Sequence, residues 1–231
     1  MPTLAGQKVL ITGAAHGLGA GLARVFSAQG AELILMDVDV PKWADEVVKW
    51  AFLKVDLSDA TATAAAVADL GPVDTLIHNA AILRPEPLED VSLATFQATM
   101  DVGIQAAFQL SQAVWPGMKA NGGALIFVSS QSGIKGFVDE TAYCAAKHAL
   151  EGFSKCLAME GEAYDILSCT ITPGKPMHTP MSERNYPAEL KAEWIEPDLL
   201  APAFAHIATS RDMTLSGQRL NAWHLSQEHP L

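Results

Sequence analysis

A doubly wound α/β architecture is what this sequence predicts: a parallel sheet of about seven strands with helices on both faces, in one domain spanning residues 1–231. Three observations lead to it. Short apolar runs of strand length alternate with longer stretches in which apolar residues recur at helical spacing, the pattern of repeated βαβ units. The first run ends in a glycine-rich turn, Thr12-Gly13-Ala14-Ala15-His16-Gly17-Leu18-Gly19, that opens a helix. The second run stops at an acidic residue, Asp37, about 20 residues beyond the glycines. Strand, glycine turn, helix, strand and acid, in that order, describe the first part of a Rossmann-type nucleotide fold.

Each element has its own signal. Lys8-Val9-Leu10-Ile11-Thr12 is mostly apolar, as a strand buried on both faces should be. Leu18, Leu22, Val25 and Phe26 recur at helical spacing, Gly30 ends that helix, and Glu32 to Met36 is the second strand. A short segment, 41–49, leads to a third strand near 52–55. An alanine-rich helix follows from about 58 to 70, broken by Gly71-Pro72. Strand four is expected at 73–78, a long helix at about 92–118, strand five at 124–128, a helix at 142 to about 160, and strand six at 166–172. Residues 173–197 hold five prolines and the bulky Met177, Met181, Tyr186 and Trp194; they read as one long irregular stretch, a substrate loop at about 175–197. A short helix at 198–209 and a strand near 218–222 complete the chain.

Composition narrows the function classes. With 49% hydrophobic residues the chain can bury one large core. A formal net charge of -11 argues against a nucleic-acid or anionic membrane partner, both of which need clustered Lys and Arg. No stretch is long and apolar enough to span a bilayer, and Met1 to Lys8 carry no basic or signal-like segment, so a cytoplasmic location is expected. Cys144, Cys156 and Cys169 are odd in number and lack metal-ligand spacing, which predicts neither a disulfide framework nor a metal site.

The residues with chemistry lie at strand ends. Glycines in the turn let a pyrophosphate approach the main chain, and the helix that begins there offers unpaired N–H groups and a favourable dipole; Gly13, Ala15, His16, Gly17, Leu18 and Gly19 are therefore candidate cofactor contacts. Asp37 is placed to accept hydrogen bonds from adenosine ribose hydroxyls and to repel a 2′-phosphate, which favours NAD over NADP. Further on, Tyr143 and Lys147 are four apart on one helix and project from the same face. An ammonium beside the phenol favours phenolate; shifting its pKa from ~10 toward neutrality takes on the order of 4 kcal/mol.

Together these residues resemble the short-chain dehydrogenase/reductase family in its single-domain form, from Thr12 to about Ala222. The matching parts are the glycine turn, Asp37, Asp56-Leu57 after strand three, Asn79-Ala80 after strand four, Ser129-Ser130 after strand five, Tyr143-x-x-x-Lys147, and Pro173-Gly174 after strand six. The resemblance implies hydride transfer between a nicotinamide and a secondary alcohol or ketone. It makes Ser130, thirteen positions before the tyrosine, catalytic with Tyr143 and Lys147. It places Asp56, Leu57, Asn79 and Ala80 along the adenosine, and Tyr143, Lys147, Pro173, Gly174 and Thr179 near the nicotinamide end.

Four departures stand out. The family's asparagine in the long helix aligns with Gly103, Asn-Asn-Ala-Gly is here His78-Asn79-Ala80-Ala81, Thr179 lies one residue further from Gly174 than usual, and the segment between Asp37 and Asp56 is short. His78 reads as a packed strand-end residue. Gly103 keeps open an alternative function, a catalytically weak dinucleotide-binding sensor or scaffold. The substrate is a small alcohol or carbonyl compound bordered by Ile82-Leu83-Arg84, residues 131–140 and the loop at 175–194. A homodimer or homotetramer is expected through the long helix and the Tyr143 helix, with Ala106 and Ala113 facing outward.

Overall fold

The computed structural model describes residues 3–231, so Met1 and Pro2, the start of the segment read for targeting signals, lie outside the described residues. Among those described, seven strands form one sheet: β1 (Lys8–Thr12), β2 (Glu32–Asp37), β3 (Trp50–Lys54), β4 (Thr75–His78), β5 (Gly123–Val128), β6 (Ile166–Thr172) and β7 (Arg219–Asn221). Their order is β3-β2-β1-β4-β5-β6-β7 and every pairing is parallel. Strand order reverses between β1 and β4, the place where such sheets open a crevice beyond their carboxyl ends. Among the described residues no helix is long and apolar enough to cross a membrane.

Alternation along the strands builds two cores. Val9 and Ile11 of β1, with Leu33, Leu35 and Ile126, face α1 (Gly17–Ala28) and α7 (Ala201–Ser210). Leu10, with Ile34, Leu76, Leu125 and Phe127, faces the helices of the opposite layer. These are α2 (Ala60–Val67), α4 (Ala106–Asn121) and α5 (Thr141–Gly161), while α3 (Leu93–Met100) packs on α5. Burial on both faces is why the strands read as continuous apolar runs.

Several elements differ from expectation. The stretch 173–197 is not irregular throughout: α6 (Pro180–Asn185) starts at Thr179, whose side chain caps it, with proline in its first turn, and Met177 bridges to Ile195. A final helix, α8 (Ala222–Glu228), follows β7 directly, capped by Asn221. Ala106 is fully buried, not outward, because it lies one turn before Leu110 and two before Val114 on the same stripe; Ala113 is exposed. The crossover from β2 to β3 carries no α-helix, only a 3₁₀ turn at Ala44–Glu46, and Trp43 and Val47 fill the space against the core.

The long helix of residues 93–121 is continuous but widens into one π-helical turn, Asp101–Gln105. His78 ties this turn to the glycine loop. The Thr12 hydroxyl accepts from the Asn79 and Ala80 amides at 3.0 and 3.1 Å, so its own proton goes to His78 Nδ1, 3.1 Å away. The remaining ring proton, on Nε2, is donated to the Val102 carbonyl at 3.0 Å. His78 is thus a neutral, fully buried link, as a packed strand-end histidine should be; burial, aided by the charge of Lys147, lowers its pKa to about 3.

That shift makes stability depend on pH. The unfolded chain, whose histidine titrates near 6.5, binds more protons than the folded one between 6.5 and 3. The contribution is therefore complete above 6.5 and lost as pH falls to about 3, by an amount of roughly 5 kcal/mol. Urea unfolding of the wild type and of His78→Asn should show a smaller loss of stability between pH 7 and pH 4 in the variant.

Candidate active site

The glycine turn joins β1 to α1 beside the end of β4. Gly13 has φ +62°, and a Cβ there would lie 2.9 Å from the Ala80 Cα, so only glycine fits between the two strand ends. Asn79 Nδ2 donates to the carbonyls of Thr12 and Gly13 at 3.1 and 3.0 Å. No side chain caps the N-terminus of α1 at His16, which leaves the first-turn N–H groups directed outward. The missing Cβ atoms and free N–H groups fit a pyrophosphate.

Asp37 stands against this turn. Its carboxylate accepts from the Ala15 amide at 2.8 Å and the Asp39 amide at 3.0 Å, so it shapes the loop. The sequence did not reveal two neighbours: Trp43 Nε1 donates to the Ala15 carbonyl at 2.9 Å, and His16 Nε2 lies 3.1 Å from Asp39 Oδ2. Despite its extra residue of spacing, Thr179 folds back over the turn, its Cγ2 standing 2.9 Å from where a Gly17 Cβ would be. Leu57 is a core residue, and the Asp56 carboxylate accepts from the Ser58 amide and hydroxyl, so both also have local roles after β3. Pro173 and Gly174 follow β6, where the Pro173 carbonyl accepts from the Trp223 amide.

Ser130, Tyr143 and Lys147 come together beyond the end of β5. Ser130 caps a 3₁₀ turn, Gln131–Gly133, which brings its hydroxyl close enough to the Tyr143 phenol to favour the ionised form. A relay continues from Ser130 Oγ to Ser132 Oγ at 3.3 Å and on to buried Glu140 at 2.8 Å. Tyr186, from the segment after α6, lies beside Tyr143, and Asn185 fastens that segment to the Leu83 carbonyl at 3.1 Å.

The electrostatics of this state differ from the expectation that Lys147 lowers the phenol pKa. Burial, reinforced by Tyr186, pushes the Tyr143 phenol above its ordinary value, and the nearby Ser130 hydroxyl only partly offsets it. The Lys147 ammonium does not reach the phenolic oxygen. It donates to the Val128 carbonyl at 2.6 Å and lies 5.5 Å from the centre of the Tyr143 ring. Burial lowers its pKa to about 8, against the raising effect of Glu151. An ammonium in an apolar pocket takes the nearest acceptor, and here that is the end of β5.

Gly103 lies in the π turn facing α5, where a Cβ would come within 2.7 Å of the Ala146 Cβ. Sequence reading also passed over Glu151 and Arg219, and took Glu140 only as part of the substrate-bordering stretch 131–140. Glu151 is one turn beyond Lys147 on the same helix face, a spacing visible in the sequence. Among the described residues no group of His, Cys, Asp and Glu could hold a metal ion.

Residues 7–190 match the family model described as short chain dehydrogenase. Mouse L-xylulose reductase is 32% identical over 217 residues, covering 92% of this chain and 88% of that protein. D-xylose 1-dehydrogenase of Caulobacter vibrioides is 33% identical over 207 residues, covering 86% and 83%. A solved structure from Beutenbergia cavernae, described as a candidate NAD(P)-dependent gluconate 5-dehydrogenase with bound NADP, superposes with TM-score 0.88 at 25% identity, covering 97% of this chain and 99% of that one.

Ultraviolet titration tests the site's resting electrostatics. In the cofactor-free protein the Tyr143 wave should lie above pH 10, and Tyr143→Phe should delete it from the signal of the three tyrosines. A Tyr143 wave at or below 10 in that state would contradict the geometry described.

Proposed function

We propose, for a chain that belongs to the short-chain dehydrogenase/reductase family and is a nicotinamide-dependent oxidoreductase of alcohols or ketones, that NAD is its cofactor and a small polyhydroxylated molecule its substrate. Ser130, Tyr143 and Lys147 are its catalytic residues. The observation that carries the reading is their convergence beyond the end of β5, on the same sheet edge as the glycine turn. When bound, the nicotinamide accepts a hydride from the alcohol carbon or returns one to the ketone.

In the oxidation direction Ser130 holds the substrate oxygen by a hydrogen bond and Tyr143 Oη takes the hydroxyl proton. Lys147 stabilises the ionised phenol by charge and contacts the nicotinamide ribose; reduction runs the same steps in reverse. The Ser132–Glu140 relay keeps the serine hydroxyl oriented. Gly13, Ala15, His16, Gly17, Leu18 and Gly19 cradle the pyrophosphate. Asp56, Leu57, Asn79 and Ala80 border the adenosine, and Pro173, Gly174 and Thr179 the nicotinamide end.

NAD is preferred because two carboxylates, Asp37 and Asp39, stand at the end of β2 beside the turn, where a 2′-phosphate would meet them. The substrate class is supported by the relatives, whose names specify L-xylulose and D-xylose, and by the buried Glu140 carboxylate, an acceptor for hydroxyl donors. Self-association is supported by an apolar groove between the long helix and α5, where Met100, Ile104, half-exposed Phe108 and Phe153 lie together. The net charge of -11 supports a cytoplasmic location.

Titrating both cofactors should give tighter binding of NAD by about 10-fold or more, with Asp37→Ala narrowing the gap; equal affinities would remove the argument. Tyr143→Phe should keep NAD binding while kcat falls ~10²-fold or more, and unchanged turnover would leave only the binding-module alternative. Light scattering should find an oligomer that Phe108→Glu dissociates.

A further inference from the structure

Behind the proposed catalytic serine lies a second buried cluster that the reaction as described does not use. Glu151 is 7% exposed. Its Oε1 accepts from the Ser129 hydroxyl at 2.5 Å and from Arg219 Nε at 3.1 Å, and its Oε2 accepts from the Thr170 hydroxyl at 2.8 Å. The other arm of Arg219, Nη2, donates to the Ser130 carbonyl at 2.9 Å. One carboxylate thereby joins α5 to the ends of β5, β6 and β7, and one guanidinium bridges it to the backbone of Ser130.

We propose that the Arg219–Glu151 ion pair positions the reactive centre: Arg219 fixes the main chain of Ser130, while Glu151 fixes Ser129 and supports the charge of Lys147 one turn away. The inference rests on the reading of Ser130, Tyr143 and Lys147 as catalytic. A buried ion pair is a poor way to gain stability, since an apolar pair of similar volume does as well or better. This one touches the residue beside the serine and the serine itself. Two arms leaving one guanidinium in fixed directions allow the simultaneous grip on carboxylate and carbonyl, which a lysine cannot reproduce. The groups facing Glu151 are Arg219 from β7, Thr170 from β6, Ser129 and Gly133 from the segment after β5, and Lys147 on its own helix. Of these, only Arg219 and Lys147 carry charge, and Lys147 in turn faces His78 and Tyr143.

Three variants of the full chain test this. Arg219→Lys keeps a cation beside Glu151 but loses the second arm. It should lower kcat by about 10- to 100-fold while the NAD dissociation constant and thermal midpoint stay near wild type. Glu151→Gln keeps the hydrogen-bonding shape and removes the charge, whereas Arg219→Met leaves the carboxylate unneutralised. The alkaline limb of the kcat profile, where Lys147 loses its proton, should therefore move to lower pH in Glu151→Gln and to higher pH in Arg219→Met. Loss of packing alone would move neither limb. If Arg219→Met does not fold, the Glu151→Gln shift carries the pH test. Wild-type kcat in Arg219→Lys, or an unmoved limb in Glu151→Gln, overturns the proposal. Ser130→Ala and Tyr143→Phe, assayed alongside, separate the two possible failures. Full turnover in those controls removes the catalytic assignment itself. Loss of turnover there, beside wild-type behaviour in Arg219→Lys and Glu151→Gln, removes the positioning role alone.

Discussion

Burying an ammonium and a carboxylate one helical turn apart is the constraint on which the site depends. Lys147 and Glu151 are 2% and 7% exposed, and a buried charge persists only where its partners are supplied. The partners are the Val128 carbonyl for the lysine, and Ser129, Thr170 and Arg219 for the glutamate. They come from three adjacent strand ends, so α5 cannot slide or turn on the sheet without stranding a charge. Tyr143, one turn earlier on the same helix, is held beside Ser130 by the same restraint.

The other half of the crevice is organised by a single hydroxyl. Thr12 accepts from the amides that follow β4 and donates a hydrogen bond to His78, which reaches the widened turn of the long helix. Glycine loop, β4 and π turn are therefore one hydrogen-bonded unit across the point where strand order reverses. Burial acts on the reactive pair in opposite senses, disfavouring both the charged lysine and the ionised tyrosine. At rest, near neutral pH, the phenol is un-ionised beside a charged lysine, not the phenolate–ammonium pair that the spacing of Tyr143 and Lys147 alone suggests.

Much of this was legible in the residues. β1 and β6 fall where their apolar runs predict, and the other strands differ by two residues or fewer at each end. Local signals decide those positions, because a strand buried on both faces leaves a run that neighbouring structure cannot disguise. The helices α6 and α8 were missed because each is short and depends on a cap, Thr179 or Asn221, more than on an apolar stripe. At the site, Ser130, Tyr143 and Lys147 meet as their motifs imply. The position of the Lys147 ammonium was not legible, since it depends on the competition between the phenol and the Val128 carbonyl, a matter of tertiary distance. Glu151 and Arg219 are far apart in sequence, and only the β6–β7 pairing brings them together.

The approach of the π turn to α5 also bears on how this chain can change over generations. With 2.7 Å between Ala146 Cβ and the position a Gly103 Cβ would take, any side chain at 103 requires the two helices to separate or residue 146 to shrink. The two positions therefore form an epistatic pair. An asparagine at 103, which the family resemblance leads one to expect, is not a neutral single substitution on this background, because it calls for a compensating change in α5. Contact between two small residues thus couples two positions 43 apart in the chain, so that a change at one sets what the other can hold.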